Sequence, residues 1–164
     1  MKTNKKISQA REKSIGKQIG GRAHIASGAL WFQKGDVSNE FIMIEDKFTK
    51  KDNYNITLLV LDKIDKESKK ENKIPILSIA FESHKLSFAC VNVKYCKEDI
   101  VAPFIESTEA KSFNLNFYTI KERYFSCFDK YQPIQKIKYT SYNKEFYIYE
   151  WDSFIENLSS IIYY

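Results

Sequence analysis

The sequence predicts an α/β fold in which a mixed sheet is flanked by helices. Two segments, FIMIEDK (41–47) and IPILSIAFE (74–82), carry apolar side chains at both odd and even positions, as strands with two buried faces do. Between them, Ile56, Val60 and Ile64 recur at helical spacing. A helix that connects two buried strands is typical of a layered α/β domain.

The N-terminal part of the chain predicts a helix over residues 5–20. Its apolar residues recur at roughly helical spacing: Ile7, Ala10, Ile15 and Ile19. Gly20 and Gly21 end the pattern. The following RAHIAS (22–27) is extended in character, and we expect a further short strand at about 36–38.

The helix between the two central strands is expected to follow a cap at Asp52 or Asn53, because both side chains can accept hydrogen bonds from a helix N-terminus. It ends where DKESKKEN (65–72) turns to solvent. Up to residue 82 the predicted order is therefore helix, strand, strand, strand, helix, strand.

Residues 83–164 predict a β-rich C-terminal extension. KLSFACVNVKY (85–95) and FNLNFYTIKERYFSCF (113–128) indicate one strand each, and KIKYTSYNKEFYIYEW (136–151) indicates two strands around a turn at 142–144. A short last helix is expected after a cap at Asp152 or Ser153.

The C-terminal half is also dense in aromatic residues among lysines: Tyr139, Tyr142, Phe146, Tyr147, Tyr149 and Trp151. We favour a β-rich core or a dimer surface for them over stacking on nucleic-acid bases, which is the alternative. The last residues, SSIIYY (159–164), are unusually apolar for a free tail and suggest packing against a second subunit.

Length and composition indicate one domain over residues 1–164, with a core region at about 5–82 and an elaboration at 83–164. The chain has 164 residues, 43% of them hydrophobic. No apolar run approaches the roughly 20 residues of a membrane span. The basic N-terminus lacks the apolar stretch of a secretory signal. Cys90, Cys96 and Cys127 form no CxxC pair, which indicates reduced thiols and a cytoplasmic protein.

The net charge of +5 is unevenly placed. In residues 1–22 a single acid, Glu12, stands among many basic residues: Lys2, Lys5, Lys6, Arg11, Lys13, Lys17 and Arg22. Such a segment attracts a polyanion. A solvated basic face without any partner explains the same charges equally well.

Charged residues occupy the end of the predicted strand 41–47. Side chains alternate in a strand, so Glu45 and Lys47 share one face and Asp46 points to the other. A hairpin through residues 38–40 would return Asp36 to the end of this strand. Two close carboxylates require a hard cation such as Mg²⁺, and a lysine beside them could offset charge on a phosphate. By itself the Glu-x-Lys pattern is more typical of an exposed ion pair.

Asp36 followed by Glu45-Asp46-Lys47 after an apolar strand resembles the PD-(D/E)xK nuclease signature. More narrowly, the chain resembles archaeal-type and phage Holliday-junction resolvases over about residues 8–82. That likeness rests on Glu12 in the first helix, GGR (20–22), Ser27-Gly28 and GD (35–36). It implies a restriction-endonuclease-like core. GD stands where the family has PD, which changes only the approach to the acid.

The resemblance also implies a site. Asp36, Glu45 and Glu12 would hold Mg²⁺, for which Mn²⁺ may substitute, with the backbone carbonyl of Asp46 as a further ligand. Lys47 would be the catalytic lysine, beside Glu45, Asp36 and Glu12 as catalytic acids.

The expected DNA-binding residues lie around this site: Arg11, Lys17, Arg22, His24, Ser27, Gly28, Lys50 and Lys51. By the resemblance, Arg22 and Ser27 contact phosphate in a loop that Gly28 keeps open. His24 could be imagined as a general base, but a lone histidine near a basic loop more often bonds or contacts phosphate.

The function expected from this resemblance is a Mg²⁺-dependent endonuclease for branched DNA, most closely a Holliday-junction resolvase. It would act as a homodimer on four-way junctions in the cytoplasm of a bacterium, an archaeon or a phage-infected cell. Two alternatives stay open: a PD-(D/E)xK nuclease acting on duplex or single-stranded DNA, and a non-catalytic DNA-binding protein of the same fold.

Overall fold

The computed structural model describes residues 3–24, 35–127 and 131–163. The helices in this part of the chain are α1 (Asn4–Gln18), α2 (Leu58–Lys69), α3 (Phe117–Ser126), α4 (Trp151–Glu156) and α5 (Leu158–Ile161). The strands are β1 (Arg22–Ala23), β2 (Val37–Ser38), β3 (Ile42–Thr49), β4 (Asn53–Thr57), β5 (Ile74–Phe81), β6 (Leu86–Asn92), β7 (Phe104–Thr108), β8 (Ser112–Asn116), β9 (Gln135–Tyr139) and β10 (Lys144–Glu150).

Eight strands form one mixed sheet in the order β1-β2-β3-β5-β6-β10-β9-β7. The pairs β3–β5 and β7–β9 are parallel, and the other neighbours are antiparallel. A separate antiparallel pair joins β4 to β8. The mixed α/β class is therefore confirmed. The segment predicted as a central strand, β3, does lie inside the sheet between β2 and β5.

The sheet buries a hydrophobic core on each face, because both faces of its central strands are apolar. One core packs α2 and the β4–β8 pair against the sheet, with Leu61, Leu77 and Ile148 among its residues. The other core packs α1, α4 and α5 against the opposite face of the sheet, and Ile15 and Phe154 are among its residues. Both cores take residues from either half of the chain, so residues 83–164 continue the same sheet.

The expected cap of α2 at Asp52 or Asn53 is wrong. Residues Asn53–Thr57 form β4, in which the alternating sequence NYNIT buries Ile56. The helix starts only after this strand, where the Thr57 side chain accepts a hydrogen bond from the Val60 amide at 3.4 Å. The order up to residue 81 consequently contains one strand more than the sequence predicts.

The segment 113–128 is not one strand. Its first part belongs to β8, and at Asn116 the side chain accepts from the Thr119 amide at 3.1 Å and begins α3. Phe117 and Ile120 are buried at helical spacing, a period that the many aromatic residues conceal in the sequence. The single last helix expected from the sequence is two short helices, α4 and α5. The cap of α4 is Glu150 and not Asp152 or Ser153, because the Glu150 carboxylate accepts from the Ser153 amide at 2.8 Å.

The aromatic residues of β9, β10 and α4 fill the cores, as favoured from the sequence. Tyr139, Phe146, Tyr147, Tyr149 and Trp151 are all buried. The apolar end of the chain has a different explanation from the one predicted. Ile161 and Ile162 pack inside this same chain against α1 and α4, so no second subunit is needed to cover them.

Two further observations concern composition. Cys90, Cys96 and Cys127 are all free, as expected. Among the helices of the described ranges, none has the length and apolar character needed to cross a membrane.

Candidate active site

The pairing of β2 with β3 brings Asp36, which directly precedes β2, beside the charged residues of β3. The register matches Val37 with Ile44, and the Asp36 amide donates to the Ile44 carbonyl at 2.9 Å. The Asp36 carboxylate then accepts a hydrogen bond from the Asp46 amide at 2.8 Å. The hairpin inferred from the sequence therefore exists, and it brings Asp36 to the charged end of β3.

Glu45 and Lys47 lie on the same face of β3, as strand alternation predicts. The Lys47 ammonium donates to Glu45 Oε1 at 2.7 Å. Glu45 is buried, and Lys47 is partly exposed. An acid, a second acid and a lysine thus converge at one end of the sheet, on the face that α2 covers.

Burial and neighbouring charges shift the pKa values of Asp36 and Lys47. Burial and the nearby charge of Glu45 raise the pKa of Asp36 from its ordinary 3.8 to about 6. Burial alone would lower the pKa of Lys47, but its hydrogen bond and charge interaction with Glu45 outweigh that effect, and the pKa is raised. Lys47 therefore keeps its positive charge at neutral pH, while Asp36 is ionised only at a cost.

Asp46 points to the opposite face of the sheet, as predicted, but its side chain has a structural role that the sequence did not indicate. Arg11 of α1 donates to it twice, from Nε at 2.9 Å and from Nη2 at 2.8 Å. Ser78 of β5 adds a third hydrogen bond at 2.8 Å. The expected DNA contact of Arg11 is thus replaced by a bidentate ion pair that ties α1 to β3.

The backbone of Asp46 faces the carboxylate cluster even though its side chain does not. The N–H and C=O of one strand residue point to the same edge. The Asp46 amide donates to Asp36, so its carbonyl lies toward the same side. Asp36, Glu45 and this carbonyl are hard oxygen donors of the kind that Mg²⁺ takes.

Glu12 lies on α1, close enough for its charge to act on Asp36. Its carboxylate accepts from the Ser8 hydroxyl at 2.8 Å, and its charge contributes to the raised pKa of Asp36. Within residues 3–24, 35–127 and 131–163, no three His, Cys, Asp or Glu side chains are grouped closely enough to hold a metal ion. The side chains therefore offer a pair of carboxylates, which the Asp46 carbonyl supplements.

Arg22 and His24 lie on the carboxylate face of the sheet. Arg22 pairs with Ser38, and the His24 amide donates to the Asp36 carbonyl at 2.8 Å. His24 Nε2 lies 2.8 Å from the Ser38 hydroxyl, to which Lys73 also donates at 3.1 Å. Burial and the charge of Lys73 lower the pKa of His24, so its ring is held neutral.

The other predicted DNA-binding residues fall into two groups. Lys17, Lys50 and Lys51 are exposed, and the Lys50 ammonium donates to Asn4 at 3.2 Å, which joins the turn after β3 to the start of α1. Ser27 and Gly28 lie outside the described residues.

Lys63 belongs to the site, although the sequence indicates for it only a place on a solvated helix or along a DNA track. It extends from α2 to within 3.7 Å of Glu45 Oε1. Tyr54 of β4 is close enough for the charge of Lys47 to act on its hydroxyl, while burial raises the pKa of that phenol. Helical spacing can place Lys63 on a face of α2, but it does not show which strand that face meets.

Comparisons of the chain with family models, with curated proteins and with solved structures found no match. The resemblance to PD-(D/E)xK nucleases therefore stays a prediction from the sequence.

Proposed function

We propose that this protein is a metal-dependent endonuclease that hydrolyses phosphodiester bonds in DNA, with a restriction-endonuclease-like core. The observation that supports this most is the pairing of β2 with β3, which brings the Asp36 carboxylate to the Asp46 amide at 2.8 Å while Lys47 contacts Glu45 at 2.7 Å. Two acids and a lysine at the end of a central strand are what metal-assisted phosphodiester hydrolysis requires.

Each group has a distinct role in this proposal. Asp36, Glu45 and the Asp46 carbonyl would hold Mg²⁺ or Mn²⁺, and Glu12 would act on the site through its charge. A cation held there would supply Lewis acidity for the attack of water and for the charge on the phosphate. Lys47 remains protonated because its pKa is raised, so it orients and neutralises a phosphate oxygen and does not accept a proton.

The surroundings of the carboxylates suit a polyanion. Arg22 and the neutral ring of His24 lie on the same face of the sheet, and Lys50 and Lys51 are exposed on the turn after β3, whereas Lys17 is exposed on α1, which covers the opposite face. Contacts of this kind read backbone shape and charge and do not read bases. We therefore propose branched DNA as the substrate, with a four-way junction bound by a homodimer as its most specific form.

The direct test incubates the protein with an end-labelled four-way junction, the matching duplex and one of its single strands, with and without Mg²⁺. We expect Mg²⁺-dependent, symmetric nicking of the junction alone. Equal cleavage of all three DNAs would contradict the junction preference and leave a general nuclease. Binding without cleavage in either Mg²⁺ or Mn²⁺ would favour a non-catalytic DNA-binding protein.

A further inference from the structure

Two lysine ammonium groups lie near the Glu45 carboxylate, and the second is not needed to compensate its charge. Lys47 already donates to Oε1 at 2.7 Å. Lys63 stands 3.7 Å from the same oxygen, beyond good hydrogen-bond distance, and its side chain is 55% exposed. Glu45 itself is buried, but an ammonium this exposed and at this distance gains little stability from the pair. The position of Lys63 therefore calls for an explanation other than folding.

The charges of α2 are arranged so that Lys63 faces the carboxylates. The acids on either side of it are bound elsewhere: Asp62 by Lys144 of β10, and Asp65 by Lys69 at 2.6 Å and by Lys94 at 2.7 Å. The contacts with Lys144 and Lys94 hold one side of α2 against β10 and against the turn that follows β6. Lys63 extends from the other side, toward β3.

We propose that Lys63 is a second phosphate-binding residue of the site, which rests near Glu45 in the free protein and transfers to a phosphate oxygen of bound DNA. This inference depends on the proposed nuclease function. A cation held by Asp36 and Glu45 repels the ammonium, and the flexible four-carbon stem of lysine lets it move to the negative group that arrives with the DNA. Lys63 would then contact the backbone from the α2 side, opposite Arg22 and His24.

The test measures DNA binding and cation binding separately. Wild type, Lys63→Met, Lys63→Arg and the control Lys66→Met are titrated with a labelled junction in Ca²⁺ at several salt concentrations. Lys66 is exposed on the same helix, so its loss changes the charge equally. We expect Lys63→Met to weaken binding about fivefold and to reduce the salt slope by about one, with Lys63→Arg close to wild type.

Calorimetric titration of Mg²⁺ into the same variants without DNA is the second measurement. Lys63→Met removes an ammonium that competes with Mg²⁺ for Glu45, so the affinity for Mg²⁺ should stay unchanged or increase. The affinity for DNA should fall in the same variant. Parallel loss of both would mean that Lys63 organises the carboxylates, and it would overturn the proposal.

The remaining outcomes separate this inference from the function on which it depends. If wild type binds and cuts DNA but Lys63→Met matches Lys66→Met in affinity and salt slope, the role of Lys63 is refuted and the nuclease function stands. If wild type neither binds nor cuts any of the DNAs, both proposals fail.

Discussion

The carboxylates on the two faces of β3 have opposite surroundings. On one face the Asp46 side chain is 1% exposed and accepts hydrogen bonds from Arg11 and Ser78, so the protein itself compensates its charge. On the other face Asp36 and Glu45 stand together with Lys47, and the pKa of Asp36 is raised to about 6. One strand thus carries a closed ion pair and an open carboxylate cluster.

The difference separates a carboxylate that the protein compensates from the carboxylates to which the proposed function assigns a cation. The buried Asp46 carboxylate has its charge compensated by a bidentate arginine. A carboxylate that is held near another at a cost in pKa gains from any cation that comes between them. The ion pair and the carboxylate cluster lie on opposite faces because side chains alternate along residues 45–47. A substitution can therefore alter one of them and leave the other unchanged.

The largest expected effect is on cleavage when the open cluster is altered. Asp36→Asn and Lys47→Met should each lower the rate of DNA cleavage by about 10²- to 10⁴-fold, because the first removes a cation ligand and the second a charge at the reacting phosphate. Single-turnover cleavage of a labelled junction measures this. DNA binding in Ca²⁺ should stay within a few-fold of wild type.

Lys66→Met serves as the control for these variants, because Lys66 is an exposed lysine on α2 to which the proposal gives no DNA contact. It should cleave at nearly the wild-type rate under saturating protein. If Lys47→Met cleaved as fast as Lys66→Met, Lys47 would have no part in the chemistry.

The next largest effect is on stability when the closed pair is broken. Arg11→Met should lower the free energy of unfolding by about 3 kcal/mol, since it leaves the Asp46 carboxylate buried without its cation. Chemical denaturation measures the loss. Lys13→Met, on an exposed position of the same helix, should change stability by less than about 0.5 kcal/mol. Equal stability of the two variants would contradict a structural role for Arg11.

These two faces differ in how far they could be predicted from the sequence. The meeting of Asp36, Glu45 and Lys47 follows from a short hairpin and from strand alternation, which are local rules. The contact of Arg11 with Asp46 joins residues 35 apart and depends on how α1 docks on the sheet. The contact of Lys63 with Glu45 could not be predicted for the same reason, because it depends on how α2 packs over β3.

The fold shows the same limit. The strands of residues 42–49 and 74–81 were predictable because long apolar runs have few alternative structures. The start of α2 was missed because NYNIT reads as the beginning of a helix until its partner, β8, is known. The switch from β8 to α3 at Asn116 was missed because aromatic residues suit both states.

A smaller effect should appear in the pH dependence of stability. The pKa of Asp36 is raised by folding, so the folded protein loses stability as the pH increases from about 4 to about 6, and the penalty stays constant above that range. Asp36→Asn keeps a side-chain oxygen for the Asp46 amide and removes the charge. Without divalent cations it should therefore be more stable than wild type by about 1 to 2 kcal/mol near neutral pH.

Thermal unfolding of both proteins between about pH 4 and about pH 8 tests this prediction. The stability difference should shrink toward zero at the acid end, where Asp36 is protonated in wild type. Added Mg²⁺ should stabilise wild type and leave Asp36→Asn nearly unaffected. A constant difference across the pH range would show that the substitution acts through packing and not through charge.

The smallest effect should come from Ser78→Ala, which removes one of the hydrogen bonds that close the Asp46 pair. Ser78 is fully buried and donates to Asp46 Oδ1, the oxygen that also accepts from Arg11 Nη2. We expect a loss of about 1 kcal/mol in the free energy of unfolding. Because both donors share one oxygen, the losses from Arg11→Met and Ser78→Ala should not add in the double variant. Additive losses would mean that the two contacts stabilise the protein independently of each other. They would contradict a single closed hydrogen-bonded group around Asp46.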